Sequence, residues 1–387
     1  MKTKLTLFAF LLALATLPSC HKVKTMQKEL QLSDFTITSY GSWADIRLSV
    51  SYPGKLTATL YISQSENMAD SITYELEKNT TSDKPYTFCF RPTNLQNATN
   101  YWCKITVHNS YVSNNTEVLE FSSDTQNEAI IGLFSINSNG DQVIFAKGNL
   151  QYKASTNTWR FANNQWDYLG SENENISESY SGWIDFFGWG TSNYDYGAIY
   201  YQPWSTSRTN SDYGPPSGNL SLNSKSDWGW NFNSDSDNTI NYGWRTLTGG
   251  INGEWKYLFD TRHTTSGIRY AKAIVNDTKG IVLFPDNWDI STYNINNVNQ
   301  SEANYDSNYI SANDWVNVME PCGCVFLPAT GYRRGTSVIG DFGHYWSASS
   351  DGLTTWILYF YDNHLYPADR SYTQRSDGIS VRLIHNY

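Results

Sequence analysis

Leu95-Gln96-Asn97-Ala98-Thr99-Asn100-Tyr101 leads into a run in which Cys103, Ile105 and Val107 alternate with polar or bulkier neighbours. Residues two apart share one face of a strand, so the run reads as a half-buried strand rather than a helix. The same period governs the chain upstream. Phe35 and Ile37 alternate, as do Ile46, Leu48 and Val50, and then Ala58, Leu60 and Ile62. Gly, Pro and Asn punctuate these runs. Seven such strands fit before Ser122, the last over residues 117–121, and that number suits a small sandwich. Residues 30–122 are therefore expected to form an all-β sandwich.

The stretch that closes this region resembles the fibronectin type III pattern L-x-P-x-T-x-Y. Leu95, Thr99 and Tyr101 stand in place, and Asn97 replaces the proline. The resemblance implies a corner role for Tyr101, its hydroxyl tied to the chain upstream. It also implies an architectural module, a spacer for the C-terminal part of the chain. Residues 122–129 are polar, lack alternation and read as a linker.

At the N-terminus, Lys2 and Lys4 precede an apolar-or-Thr run over residues 5–17, then Pro18-Ser19-Cys20. A basic start, a short apolar core and small residues describe a secretory signal. The run is too short for a spanning helix, which needs about 20 apolar residues. Its end resembles the bacterial lipobox, with Leu17 and Ser19 matching and Pro18 departing. The resemblance implies a signal peptide over 1–19, lipidation at Cys20 and a tether over 20–29. Several acyl chains make a stable anchor, whereas one does not. The alternative is plain secretion after Ala13-Leu14-Ala15. The expected location is the outer membrane, lipid-anchored, facing periplasm or surface.

The formal charge is −10, and −12 once Lys2 and Lys4 are removed. No basic stripe is present, so no nucleic-acid partner is expected. The chain holds 15 Trp, 28 Tyr and 17 Phe among many Asn, Ser, Thr and Gly. That mixture suits short strands and polar loops rather than long helices. Beyond Cys20 the cysteines are Cys89, Cys103, Cys322 and Cys324, which allow three pairings. A bridge within Cys322-Gly323-Cys324 would be strained, so these two are expected as free, partly buried thiols.

Residues 130–387 carry thirteen of the fifteen tryptophans. Trp255, Leu258 and Phe259 fall on one helical face. Ser311-Ala312-Asn313-Asp314 reads as a helix cap leading to Trp315, Val318 and Met319. Strands are expected over 270–275, 281–284, 325–327, 356–360 and 379–384, the last with Ile379, Val381 and Leu383 pointing one way. Strands with two helices make an α+β arrangement.

A set of strings here belongs together: Gly148-Asn149-Leu150-Gln151-Tyr152, Phe187-Gly188-Trp189-Gly190, Trp244-Arg245-Thr246-Leu247-Thr248, Val325-Phe326-Leu327-Pro328-Ala329, Gly343-His344-Tyr345-Trp346-Ser347 and Gly378-Ile379-Ser380-Val381-Arg382. They resemble the Fibrobacter succinogenes major paralogous domain family. Arg245 to Thr248 before a Glu-Trp helix, with the terminal Gly-x-Ser-Val-Arg strand, resembles C-type-lectin-like folds, including the formylglycine-generating enzymes. The resemblance implies a C-type-lectin-like domain over 130–387 but no activity.

The calcium triplets of C-type lectins are absent, and Tyr201-Gln202-Pro203-Trp204 is the nearest string. Asn233-Ser234-Asp235-Ser236-Asp237 alternates oxygen ligands but lacks the Gly and the closing Glu of a calcium loop. The six histidines form no close-set motif, and Cys322 and Cys324 do not sit in the oxidase pattern. Glu254, Arg245 and Arg382 are expected to brace the fold. No catalysis, cofactor or metal is expected. The candidate ligand-binding residues are Tyr194, Tyr196, Tyr201, Trp204 and Tyr213, rings set among Asn, Asp, Ser and Gly that suit a sugar face and its hydroxyls. The expected partners are the membrane, through the anchor, and a glycan or surface protein. The alternatives are a structural subunit of a surface assembly, or an enzyme on the formylglycine-generating-enzyme-like fold.

Overall fold

A computed structural model describes residues 29–81, 84–123, 128–195, 199–215, 218–233, 243–352, 354–370 and 373–387. The expected signal, Cys20, all but the end of the tether, residues 124–127 of the linker, Tyr196 and residues 234–237 lie outside the described residues. Strands take 40% and helices 10%, so the structure is mainly β-sheet.

Two antiparallel sheets form the N-terminal part. One runs β1 (Gln31–Ser39), β2 (Ala44–Ser51), β5 (Tyr86–Phe90). The other runs β4 (Ile72–Thr80), β3 (Gly54–Ser63), β6 (Asn100–His108), β7 (Ser113–Asn115), with β8 (Leu119–Ser122) also on β6. The alternating residues Ile46, Leu48, Val50, Ala58, Leu60, Ile62, Cys103, Ile105 and Val107 meet in one core. Burying each Val, Leu or Ile contributes about 1.5–3 kcal/mol before entropy is counted. Among the described residues eight strands stand where seven were expected. The added one, β7, pairs with β6 as β8 does, and Thr116, whose hydroxyl accepts from Ile105 N at 2.9 Å, separates the two. Tyr101 sits as expected, its hydroxyl accepting from Gln96 N at 2.8 Å.

The remainder is built from small sheets. One runs β13 (Trp244–Thr246), β24 (Leu383–Asn386), β10 (Gln142–Phe145), β9 (Phe134–Ser135). A pair joins β11 (Leu150–Lys153) to β12 (Thr158–Phe161). Another sheet runs β16 (Tyr309–Ile310), β14 (Tyr270–Val275), β15 (Thr278–Leu283), β17 (Val325–Pro328). Two more sheets have three strands each. The first runs β19 (Ser337–Ile339), β18 (Tyr332–Arg334), β23 (Asp377–Gly378); the second runs β20 (Gly343–Ser350), β21 (Thr355–Tyr361), β22 (His364–Asp369).

The expected strand over 379–384 is corrected: only its end is regular, in β24. Residues 379–382 thread between sheets, making single bridges from Ile379 to Phe187 and from Ser380 to Tyr345. Ile379, Val381 and Leu383 still share one core. Helix Glu254–Asp260 buries Trp255, Leu258 and Phe259. Ser311 caps the next helix by accepting from Asp314 N at 3.0 Å. That helix widens into a π turn over Trp315–Met319, which buries Trp315 and Met319 and leaves Val316 exposed.

The sandwich docks on the rest. Trp43 Nε1 donates to Ala129 O at 2.7 Å, and Arg91 Nη1 to Ile131 O at 3.3 Å. The Tyr387 ring lies between the guanidiniums of Arg47 and Arg91, at 4.3 and 4.4 Å. Tyr40 packs edge-on against His385.

Candidate functional site

The candidate residues separate. Tyr213 is 1% exposed and Trp204 is buried in the core. The Tyr213 hydroxyl donates to Ser207 O at 2.7 Å, and its ring fills the space that a side chain at Gly188 would need. This corrects the surface placement expected for both. Tyr194 and Tyr201 do come together, edge to face at 5.8 Å, with Trp230 on the other side of Tyr194 at 5.9 Å. The Lys225 ammonium sits 4.3 Å from the Tyr194 and Trp230 rings and fills this cluster from within the chain. A cation–π contact of this kind steadies the loop.

A second aromatic surface lies on β20, β21 and β22. The inner face of this sheet carries Tyr345, Leu358, Phe360 and Leu365 into a core. Gly343 is needed there, because a Cβ would fall 2.0 Å from the Phe360 ring. On the outer face the register sets His344 opposite Tyr359, Tyr359 opposite Tyr366, and Tyr361 opposite His364. Cross-strand partners of this kind stabilise a sheet. His344 and Tyr359 stack at 4.5 Å and 20°, Tyr359 and Tyr366 at 5.9 Å and 15°, Tyr361 and His364 at 4.5 Å and 17°. Near-parallel rings this close pack against one another along the sheet. Phe342 and Tyr332 flank it.

Burial governs the titration of His344 and Tyr359. It lowers His344 to about 3, with help from the Arg334 charge, so the imidazole is neutral at neutral pH. Its Nδ1 is buried without a hydrogen-bond partner. Burial and neighbouring phenols push Tyr359 up to about 12, which keeps its hydroxyl protonated. Lys272 pins the hairpin tip: its ammonium donates to Tyr361 O at 2.7 Å, His364 O at 3.0 Å and Ser301 O at 2.8 Å.

Tyr366, 42% exposed on edge strand β22, also lines a groove of about 660 Å³ between that strand and helix Glu254–Asp260. Trp356 and Ile251 contribute apolar surface, and Lys256, Asp260, Asn299 and Ser301 contribute polar groups. The ionic groups are already engaged. Lys256 pairs with Asp260, Arg269 Nε donates to Phe259 O at 2.6 Å, and Arg370 lies over Trp356 while pairing with Asp351. Apolar surface interleaved with hydrogen-bonding groups suits a polyhydroxylated ligand, although the Arg269 charge, held by a neutral carbonyl, is not cancelled by that bond. The sequence carried a signal for this surface in the spacing Tyr359-x-Tyr361-x-x-His364-x-Tyr366, two alternating runs across an Asp362-Asn363 turn.

Elsewhere, Glu254 takes both Arg245 nitrogens at 2.6 and 2.7 Å and Thr248 N at 2.7 Å, a bracing role. Cys89, Cys103, Cys322 and Cys324 are free; Cys322 is exposed and Cys324 buried, and burial pushes both thiols up. Among the described residues no group of three or more His, Cys, Asp and Glu is placed to hold a metal ion, and no helix is long and apolar enough to cross a membrane.

No family model and no curated protein matches the chain. Solved structures similar to part of it include the sensor domain of the anti-sigma factor RsgI4 of Pseudobacteroides cellulosolvens, at 19% identity and a TM-score of 0.20, covering 24% of this chain and 88% of that one. A solution structure of the same sensor domain gives 17% and 0.19, over 24% and 74%. A calcium-binding mutant of Bacteroides uniformis β-glucuronidase 2 gives 13% and 0.15, over 24% and 12%. Scores this low carry no argument about fold or function.

Proposed function

We propose that this chain is a lipid-anchored envelope protein, acylated at Cys20, that binds glycan without catalysis through residues 130–387. In this reading 130–387 is an α+β, C-type-lectin-like domain, and residues 30–122 are a fibronectin type III-like pedestal. The observation that carries it is the groove beside β22, where Trp356, Tyr366 and Ile251 meet Asn299, Ser301 and the Lys256–Asp260 pair. A sugar offers both an apolar C–H face and hydroxyls, and such a groove answers both. The structural-subunit reading asks for a pairing edge. The edge strand β4 exposes Ile72 and Leu76, but it also carries Glu75, Glu77 and Lys78, charges that discourage strand addition.

Screening the purified protein on a glycan array tests the proposal. Binding is expected and is lost in Trp356→Ala; silence on every glycan overturns it. Labelling of cells with an alkyne palmitate analogue tests the anchor. Label is expected on the wild type and not on Cys20→Ser, and an unlabelled wild type removes the lipoprotein reading.

A further inference from the structure

We infer that the outer face of the β11–β12 hairpin is a second binding site, which takes an oxyanion on the Arg160 guanidinium with the Lys153 ammonium beside it. It shares no residue with the groove beside β22 and does not depend on the glycan reading.

The register builds the face. Gln151 pairs with Arg160 and Lys153 with Thr158, so these four lie on one side of the hairpin. Tyr152 and Trp159 take the other side and pack into the core with Phe187 and Trp189. A single bridge from Tyr152 to Ile184 brings Trp183 to the hairpin, its ring 3.8 Å from the Arg160 guanidinium and 5.0 Å from the Lys153 ammonium. Two cations thus share one aromatic platform.

Arg160 is fixed at two points. Its Nε donates to Oε1 of the buried Gln151 at 2.8 Å, and the indole lies against it. Its two terminal nitrogens make no hydrogen bond within the described residues, where the ion pairs include neither Arg160 nor Lys153. Burial lowers the guanidinium from its ordinary value, and Asp167 is the acid whose charge opposes this. The Oδ2 of Asp167 already accepts from Asn164 N and Nδ2, each at 3.0 Å. Arg160 therefore carries a desolvation cost that no contacting carboxylate offsets. An oxyanion bound bidentately by the two open nitrogens would offset it, and a carboxylate, a sulfate and a phosphate share that chemistry. A fork held in place before binding loses little freedom when it binds.

The test is titration calorimetry of the whole protein with trigalacturonate, a sulfated disaccharide, inorganic sulfate and inorganic phosphate. At least one probe is expected to bind, with affinity falling about tenfold between low and molar salt as the charges are screened. Binding of the sugar acids alone assigns the oxyanion to a sugar, and binding of the inorganic ions as well assigns it to the free anion. Arg160→Gln should weaken binding about tenfold, and Arg160→Lys, which keeps the charge but loses the fork, should recover only part of it. Lys153→Gln breaks no hydrogen bond of the described residues and should weaken the same probe to a lesser degree. Both Gln variants should bind neutral array glycans as the wild type does. Binding of no probe, or binding that both Gln variants leave unchanged, overturns this inference and leaves the glycan reading standing. Silence on the glycan array overturns the glycan reading alone.

Discussion

Arg262, Arg333 and Arg382 are among the largest fully buried side chains, and only Arg262 meets a carboxylate, Asp286 at 2.9 Å. Arg382 instead donates to the carbonyls of Ala146, Lys147 and Phe326 and to Asn149 Oδ1, all within 3.2 Å. A part of the chain made of short strands has many carbonyls without ladder partners, and a buried guanidinium answers several at once. Arg382→Met should therefore destabilise by several kcal/mol, at about 1–3 kcal/mol for each group left unsatisfied, measured by chemical denaturation. His344 makes a pH prediction. The folded imidazole takes a proton only near pH 3, while the unfolded one does so near its ordinary 6.5. Its contribution is therefore full above about pH 6.5 and falls as the pH drops toward 3, by about 1.4 kcal/mol per unit. Asp185, raised by burial to about 6, runs the other way, so the difference between wild type and His344→Gln isolates the histidine. That difference should shrink with acid; a flat difference rejects it. At this scale the bracing roles of Arg382 and Glu254 were legible, because Arg382 stands between Val381 and Leu383 in an apolar run and Glu254 stands at the first turn of a helix. Trp204 and Tyr213 were not. A ring among Ser, Asn and Gly reads the same whether it faces water or fills the space beside Gly188.

Among elements, the β21–β22 hairpin depends most on one distant side chain. Lys272 comes from β14 and holds the carbonyls at both ends of the Asp362-Asn363 turn. Asn363 adopts a left-handed conformation there, at φ 66°, which asparagine tolerates better than most residues. Lys272→Met keeps the length and apolar stem but removes all three donors. It should leave the fold in place and speed amide exchange at residues 361–366 more than elsewhere; unchanged protection there refutes the pin. Helix Glu254–Asp260 was legible because its apolar residues share one helical period, and the strand at 270–275 because it is a short, mostly apolar run. Residues 379–382 were misread for the opposite reason. Ser380 and Arg382 are as buried as Ile379 and Val381, so alternation in the sequence did not correspond to two different environments. The π turn at Trp315–Met319 also escaped the reading, since widening a helix shifts which residues share a face without changing their composition.

For the whole molecule the decisive contact is the seam between the sandwich and the rest. The docking was not visible in the sequence, because Tyr40 and its partner His385 are 345 residues apart and no local pattern joins them. The seam combines a buried tryptophan hydrogen bond, two guanidiniums around Tyr387, and the Arg47–Asp45 pair at 2.6 Å beneath them. Trp43 and Tyr40 also join the core that contains Trp189, Trp228 and Trp346. A sandwich carried on a free linker would unfold by itself. One that shares a core should unfold together with its neighbour. Calorimetry of the wild type should accordingly show one transition. Trp43→Ala removes the indole from both the core and Ala129, a loss of about 3–5 kcal/mol for a buried tryptophan. Combined with Arg91→Ala it should split the profile into two transitions, the sandwich and the body each with its own midpoint. Glycan affinity should stay unchanged in this double variant, because the groove beside β22 uses none of the seam residues. A single transition in the double variant, or two in the wild type, would show that the seam does not couple them.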